Sequence, residues 1–342
     1  MMKNWWKFLA VILLIYVTLF SLLTPLVPGG LSVDINEIRK GNNTVTFTGY
    51  NTHFLEDQSA LRGFISIGTQ WIEGKILHVS DDAKFQFEVT LPDTLPSTQV
   101  AFYAYTPKDG AVYVSSAVGF NRIAIDETKK LPAIQTNIDK EEHQHWGFPF
   151  QPILFETIRN LMFHVPMWFT MFFLMGISLV ASFKVLNGKW EKDIVAVASA
   201  KVGLVFCVLG LITGSIWARF TWGTWWTRDP QLNGAMIVFI VYAAYVLLRN
   251  SIEDEQKRAR LSAVFNIFAF ILMILLLMVM PRMVDTSLHP GKSGNPAFSK
   301  YDLDSSLRMV FYPAVVGWAM LGYWIYTIQK KFELLKLDNH AK

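Results

Sequence analysis

The chain has 342 residues, of which 52% are hydrophobic, 14% aromatic and 17% charged, with a formal net charge of +4. Soluble domains typically carry about 25% charged residues, so the composition points to a membrane protein, and the small positive excess fits cytoplasmic lysines rather than a nucleic-acid footprint. The single cysteine, Cys207, can close no intrachain disulfide, and the absence of a C-x-x-C-H excludes covalently attached c-type haem on this chain.

Taken in order, Phe8 to Val27 is uncharged and long enough to cross a hydrocarbon core of about 30 Å. An uncleaved anchor over residues 1–30 is expected. A cleaved signal peptide is the competing reading, although Thr24 to Gly30 lacks a clean small-x-small site. Residues 31–140 change character. Runs rich in Val, Ile, Phe, Tyr and Thr (Thr44–Thr48, Gly63–Gln70, Lys84–Thr90, Gln99–Thr106, Ala111–Phe120) alternate with turn clusters such as Pro107-Lys108-Asp109-Gly110. With weaker segments they make about seven strands, which predicts a small antiparallel, sandwich-like domain or a barrel. His53 and His78 read as ordinary strand or loop residues. An interfacial linker is expected over 141–160. It carries His143-x-His145, read as solvated rather than metal-binding, and Trp146, Phe148 and Phe150, read as an interfacial belt.

Five further spans follow over 161–328: Leu161–Phe183, Ile194–Trp217, Gly234–Leu248, Leu261–Met280 and Met309–Tyr326, with a tail at 329–342. Lys201, two turns into the third span, is expected to snorkel to the head groups. The predicted fold is a six-span α-helical membrane protein with a β-rich domain inserted between spans one and two. The positive-inside rule sets its orientation. With both termini inside, the inner segments hold Lys3, Lys7, Lys184, Lys189, Lys192, Arg249, Lys257, Arg258, Arg260, Lys330, Lys331, Lys336 and Lys342. The outer loops hold fewer: Arg219, Arg228, Arg282, Lys292, Lys300 and Arg308. The β-rich domain is then outside.

On the same outer face fall His164, His289 and the loop Trp222-Gly223-Thr224-Trp225-Trp226-Thr227-Arg228-Asp229-Pro230. A histidine at an apolar span end is expensive unless paired or bound. Two neutral imidazoles across an indole-lined pocket can supply both axial bonds of a haem iron. Arg219, Arg228 and Arg282 are candidates for the propionates. A plain interfacial tryptophan belt remains the alternative reading of the loop.

The run from Thr213 to Thr221 followed by Trp222 to Asp229 resembles the tryptophan-rich WWD signature of the haem-handling proteins of cytochrome c maturation, and the six-span plan is most similar to CcmC. In that resemblance His164, within His164-Val165-Pro166, matches the first outer haem ligand, and His289 falls where the second is expected. It implies non-covalent haem b in transit, held by the two histidines with Trp222, Gly223, Trp225, Trp226, Arg228, Asp229 and Arg219 around it. It also implies delivery to a periplasmic haem chaperone of the CcmE type, ABC-type CcmA and CcmB partners, no bond-making catalysis, and the bacterial inner membrane. Two departures stand out: Arg228 occupies the place of the signature's last tryptophan, and the 31–140 insertion is not part of the compact CcmC pattern. A CcsA-like haem exporter and lyase is the first alternative, although its additional intramembrane histidines have no counterpart here. A non-haem receptor or transporter subunit with a ligand-binding β-domain is the second.

Overall fold

The computed structural model describes residues 4–35, 37–115, 119–121, 123–131, 146–284 and 303–340. The chain divides into a helical unit, Met1–Leu23 with Glu156–Lys342, and a second unit, Thr24–Phe155.

The helical unit comprises α1 (Trp5–Leu23), α2 (Leu161–Leu186), α3 (Asp193–Trp222), α4 (Pro230–Asn250), α5 (Glu255–Ile274), α6 (Met280–Met283) and α7 (Ser305–His340). A π-helical turn, Leu275–Val279, runs α5 into α6 as one span, so six helical segments among the described residues are long and apolar enough to cross a membrane. The π turn has a local cause. Pro281 has no N–H to give the carbonyl one turn back, and its ring crowds that carbonyl, so the preceding turn widens. The neighbouring helix accommodates this with a glycine: a Cβ on Gly234 of α4 would lie 2.8 Å from the Leu276 carbonyl oxygen.

α2 and α3 are the central pair, and glycines set their antiparallel register. A Cβ on Gly203, Gly210 or Gly214 of α3 would lie 2.9, 2.8 and 2.6 Å from Met175, Trp168 and His164 of α2, respectively. Spacings of seven and four on one helix face the same spacings on the other, in reverse order. Backbones approach closely wherever small residues line such a seam, and here that approach seats His164 against Gly214. Polar side chains add further ties. Asn266 of α5 donates to Ser178 Oγ (2.7 Å) and Ser182 Oγ (2.8 Å), while Ser178 donates to the Ala196 carbonyl at 2.7 Å.

Two ion pairs were not anticipated. Lys201 does not snorkel: α3 packs on α7, and Lys201 Nζ meets Glu333 Oε1 at 2.7 Å. The buried Arg249 grips Asp193 with two guanidinium nitrogens, joining the end of α4 to the start of α3. Both pairs are close-contact partners of charges that would otherwise be stranded in an apolar setting.

The second unit contains β1 (Gly29–Asp34), β2 (Glu37–Arg39), β3 (Gly41–Tyr50), β4 (Arg62–Ile67), β5 (Gln70–Asp81), β6 (Lys84–Leu91), β7 (Thr94–Leu95), β8 (Val100–Thr106), β9 (Gly110–Ser115), β10 (Gly119–Asn121) and β11 (Ala124–Ile125). Seven of them form one antiparallel sheet in the order β1-β3-β6-β5-β4-β8-β9. Of the two expected forms, sandwich or barrel, the single sheet takes the second. The sheet curls until its two edges meet, with β1 beside β9 and no room for a Cβ on Gly30 against the Tyr113 carbonyl. Register shifts in β1 and β5 supply the extra bend. Alternation is strict in β6 and β8, so Phe85, Phe87, Val89, Phe102 and Ala104 point inward with Phe47, Phe54 and Ile65.

Residues 146–155 group with this unit and 156–160 with the helical one. Phe148 is fully buried, and its backbone exchanges hydrogen bonds with Pro25 and Val27, so it is not a belt residue. His53 is held by a carboxylate. Its backbone N–H and its Nδ1 meet the two carboxylate oxygens of the buried Asp109 at 2.8 and 2.7 Å. His143 and His145 lie outside the described residues.

Candidate functional site

The site begins where α2 starts and α3 ends. His164 is half-buried on the first turn of α2. Its Nδ1 lies 3.0 Å from Thr213 Oγ1, and the Thr213 hydroxyl donates to the carbonyls of Leu209 (2.8 Å) and Gly210 (3.2 Å). With that proton committed, Oγ1 can only accept, so Nδ1 carries the imidazole hydrogen. The other ring nitrogen agrees. The Trp168 indole N–H, which can only donate, points at Nε2 from 3.2 Å. Both contacts select the same neutral tautomer, with a lone pair on Nε2. One ring nitrogen is thus held by an acceptor and the other keeps a lone pair that accepts from an indole.

Aromatic walls fix the ring plane. Trp168 and Trp217 stand edge-on to His164, at 6.1 and 5.6 Å between centroids and 82° and 85° between planes. Gly214 closes the third side. Trp217 is itself anchored, because its Nε1 donates to Thr157 Oγ1 at 3.1 Å in the 3-10 turn before α2. Asn160, the last residue of that turn, donates to the Thr213 carbonyl at 3.0 Å. The threonine that orients the histidine is thus held from both sides.

The tryptophan loop is organised by its own backbone. α3 ends at Trp222, and Gly223 adopts the left-handed conformation (φ 77°) that a side chain would resist. Arg219 donates to the Gly223 carbonyl and steadies that cap. Ser215 Oγ donates to the Trp225 carbonyl at 2.8 Å, which folds the loop back onto α3 one residue beyond Gly214. The Trp226 Nε1 donates to Asn233 Oδ1 at 3.2 Å, while the Trp225 ring is exposed. Asp229 is buried and serves as the N-cap of α4: its side chain accepts from the Gln231 (2.8 Å) and Leu232 (3.4 Å) amides, and Pro230 opens the helix. Its described contacts therefore shape the loop.

Arg228 is exposed on the loop, and Arg282, on the last turn of α6, donates to the Met278 carbonyl. His289 lies outside the described residues, in the segment that joins α6 to α7. Sequence reasoning chose His164 but missed Trp168, Thr213 and Gly214. Trp168 is legible afterwards as the residue four positions on, on the same helical face. The pairing with Thr213 and Gly214 needs the α2–α3 register.

The family model described as "Heme exporter protein C", CcmC, matches residues 145–342. Heme exporter protein C of Bradyrhizobium diazoefficiens is 33% identical over 112 residues, covering 32% of this chain and 43% of that protein. The Rhodobacter capsulatus protein of the same name is 33% identical over 134 residues, 38% of this chain and 55% of its own length. Cytochrome c biogenesis protein CcsA of Prochlorococcus marinus is 42% identical over 82 residues, 24% of this chain and 26% of that one. The chain thus spans about half the length of the first two relatives.

Proposed function

The chain belongs to the CcmC family, heme exporter protein C, and on that footing we propose that it handles haem for cytochrome c biogenesis, as a binding and transfer protein with no bond-making of its own. Haem b is the cargo. His164 and His289 supply the two axial nitrogens, and the tryptophan loop from Trp222 to Asp229 presents flat apolar surface and N–H donors to the macrocycle. Arg219 and Arg228 lie at its rim for the propionates. The site faces the periplasm of a bacterial inner membrane, and the cargo passes to a chaperone of the CcmE type with CcmA and CcmB as ABC-type partners.

One observation carries the reading: the Nε2 lone pair of His164, selected by Thr213 on the far side of the ring and capped by Trp168. A belt histidine needs no such arrangement. Iron takes the position of the Trp168 N–H, so loading requires that indole to give up its hydrogen bond. The chain purified in detergent is expected to show a Soret band, quantified as pyridine haemochrome, that the double variant His164→Ala, His289→Ala loses. Full retention of the band in that variant overturns the reading.

A second reading, a CcsA-like lyase, draws on the 42% identity to the Prochlorococcus marinus protein over the shared segment. Transfer of haem onto a C-x-x-C-H peptide by the purified chain favours it; no transfer favours the binding role.

A further inference from the structure

Two apolar grooves run along the outside of the helical unit, and they differ in how they end. One, of about 280 Å³, lies between α2 and α5 and is lined only by residues such as Phe183, Ile267 and Ile271. The other, of about 540 Å³, follows α2 and reaches the start of α3. Its floor is Phe173, Gly176, Ile177 and Val180, and its mouth holds two ammonium groups, Lys184 and Lys192. The mouth is the end of the bundle opposite the tryptophan loop, because α2 ends and α3 begins there.

We propose that this second groove is a binding site for an anionic phospholipid, with the phosphate between Lys184 and Lys192 and one acyl chain lying along α2. Four features support it. First, Gly176, Val180 and Lys184 recur every four residues and so stack on one face of the helix. Second, at Gly176 an added Cβ would meet nothing within 4 Å, which leaves the slot open at its middle. Third, from Phe172 to Lys184 the helix rises about 18 Å, close to the hydrocarbon depth of one leaflet. Fourth, the local charge balance favours an anion. Asp193, next to Lys192 in the chain and only partly buried, is already paired with Arg249. Glu191 lies 3.7 Å from Lys192 on an exposed turn, where such a pair is weak. Lys192 also precedes α3, whose amino end adds positive potential. Basic mouths of apolar grooves at helix ends suit anionic head groups. The first groove has the same apolar character without the cations.

Each basic side chain near the head groups raises affinity for an anionic lipid by about fivefold, so two give a preference of about twenty-fivefold. Native mass spectrometry of the delipidated full chain, with dioleoylphosphatidylglycerol and dioleoylphosphatidylcholine offered together, measures it. The expected result is one retained phosphatidylglycerol, preferred by about that factor. The preference is expected to disappear in Lys184→Gln, Lys192→Gln, to persist in Lys184→Arg, Lys192→Arg, and to persist in the charge-matched control Lys330→Gln, Lys331→Gln. Equal retention of both lipids by the native sequence overturns the proposal, as does an equal loss in the control. A chain extracted from its own membrane with a partner protein shielding Lys184 from acetylation, and no phosphatidylglycerol, also overturns it.

Discussion

Thr213→Val isolates the most distinctive contact at the site. Valine keeps the shape of threonine and removes only the hydroxyl, so packing against α2 is nearly unchanged. The Leu209 and Gly210 carbonyls lose a second partner at 2.8 and 3.2 Å, which matters little in a helix whose own amides bond them. The consequence falls on His164. Its Nδ1–H, 3.0 Å from Thr213 Oγ1, loses its acceptor. Either a half-buried donor is left unpaired, costing about 1–3 kcal/mol, or the proton moves to Nε2 and blocks the lone pair that iron needs. Both routes weaken the axial bond. Loss of a partner that orients a metal-binding histidine typically lowers affinity 10- to 100-fold, and at about 1.4 kcal/mol per tenfold this matches the estimate from the lost bond. The assay is haem titration of the detergent-solubilised chain, followed at the Soret band. Thr213→Ser keeps the hydroxyl and is expected to bind within about threefold of the native chain. Affinities for the valine and serine variants that match each other would refute the reasoning, because the hydroxyl would then orient nothing.

Gly214→Val is expected to weaken haem retention about as far as His164→Gly does while leaving the second unit folded, since even a Cβ would lie 2.6 Å from His164 Cε1; unchanged retention would show that the α2–α3 approach is looser than described. Asp229→Asn should preserve both stability and haem binding, whereas Asp229→Ala should cost about 1 kcal/mol in unfolding experiments by removing the α4 cap; loss of haem in the asparagine variant at full stability would assign the carboxylate a direct role. If Arg228 pairs a propionate, Arg228→Glu should weaken haem retention more than Arg228→Gln, and equal retention in the two would remove that role.

Much of this was legible in the sequence, for reasons particular residues make clear. Uninterrupted apolar runs betray their spans, and the alternation in Lys84–Leu91 betrays a strand whichever sheet it joins. The choice between sandwich and barrel was not legible, because closure depends on Gly30 meeting Tyr113 across the full width of the unit. His164 stood out as a polar residue in an apolar setting. Its partners did not, since Thr213 and Gly214 are unremarkable until the two helices are aligned. Asp229 is readable as a helix cap from the proline that follows it. Lys201 shows the limit of reading one span at a time: its partner, Glu333, is 132 positions away on α7.

The account turns on His164 and His289 clasping one iron from opposite sides. Electron paramagnetic resonance of the ferric haem-loaded chain tests that most directly. A low-spin, six-coordinate signal is predicted, changing to high-spin in His164→Gly and in His289→Gly, and restored in each by free imidazole. A high-spin signal in the native chain, or a low-spin signal that neither substitution alters, would contradict it.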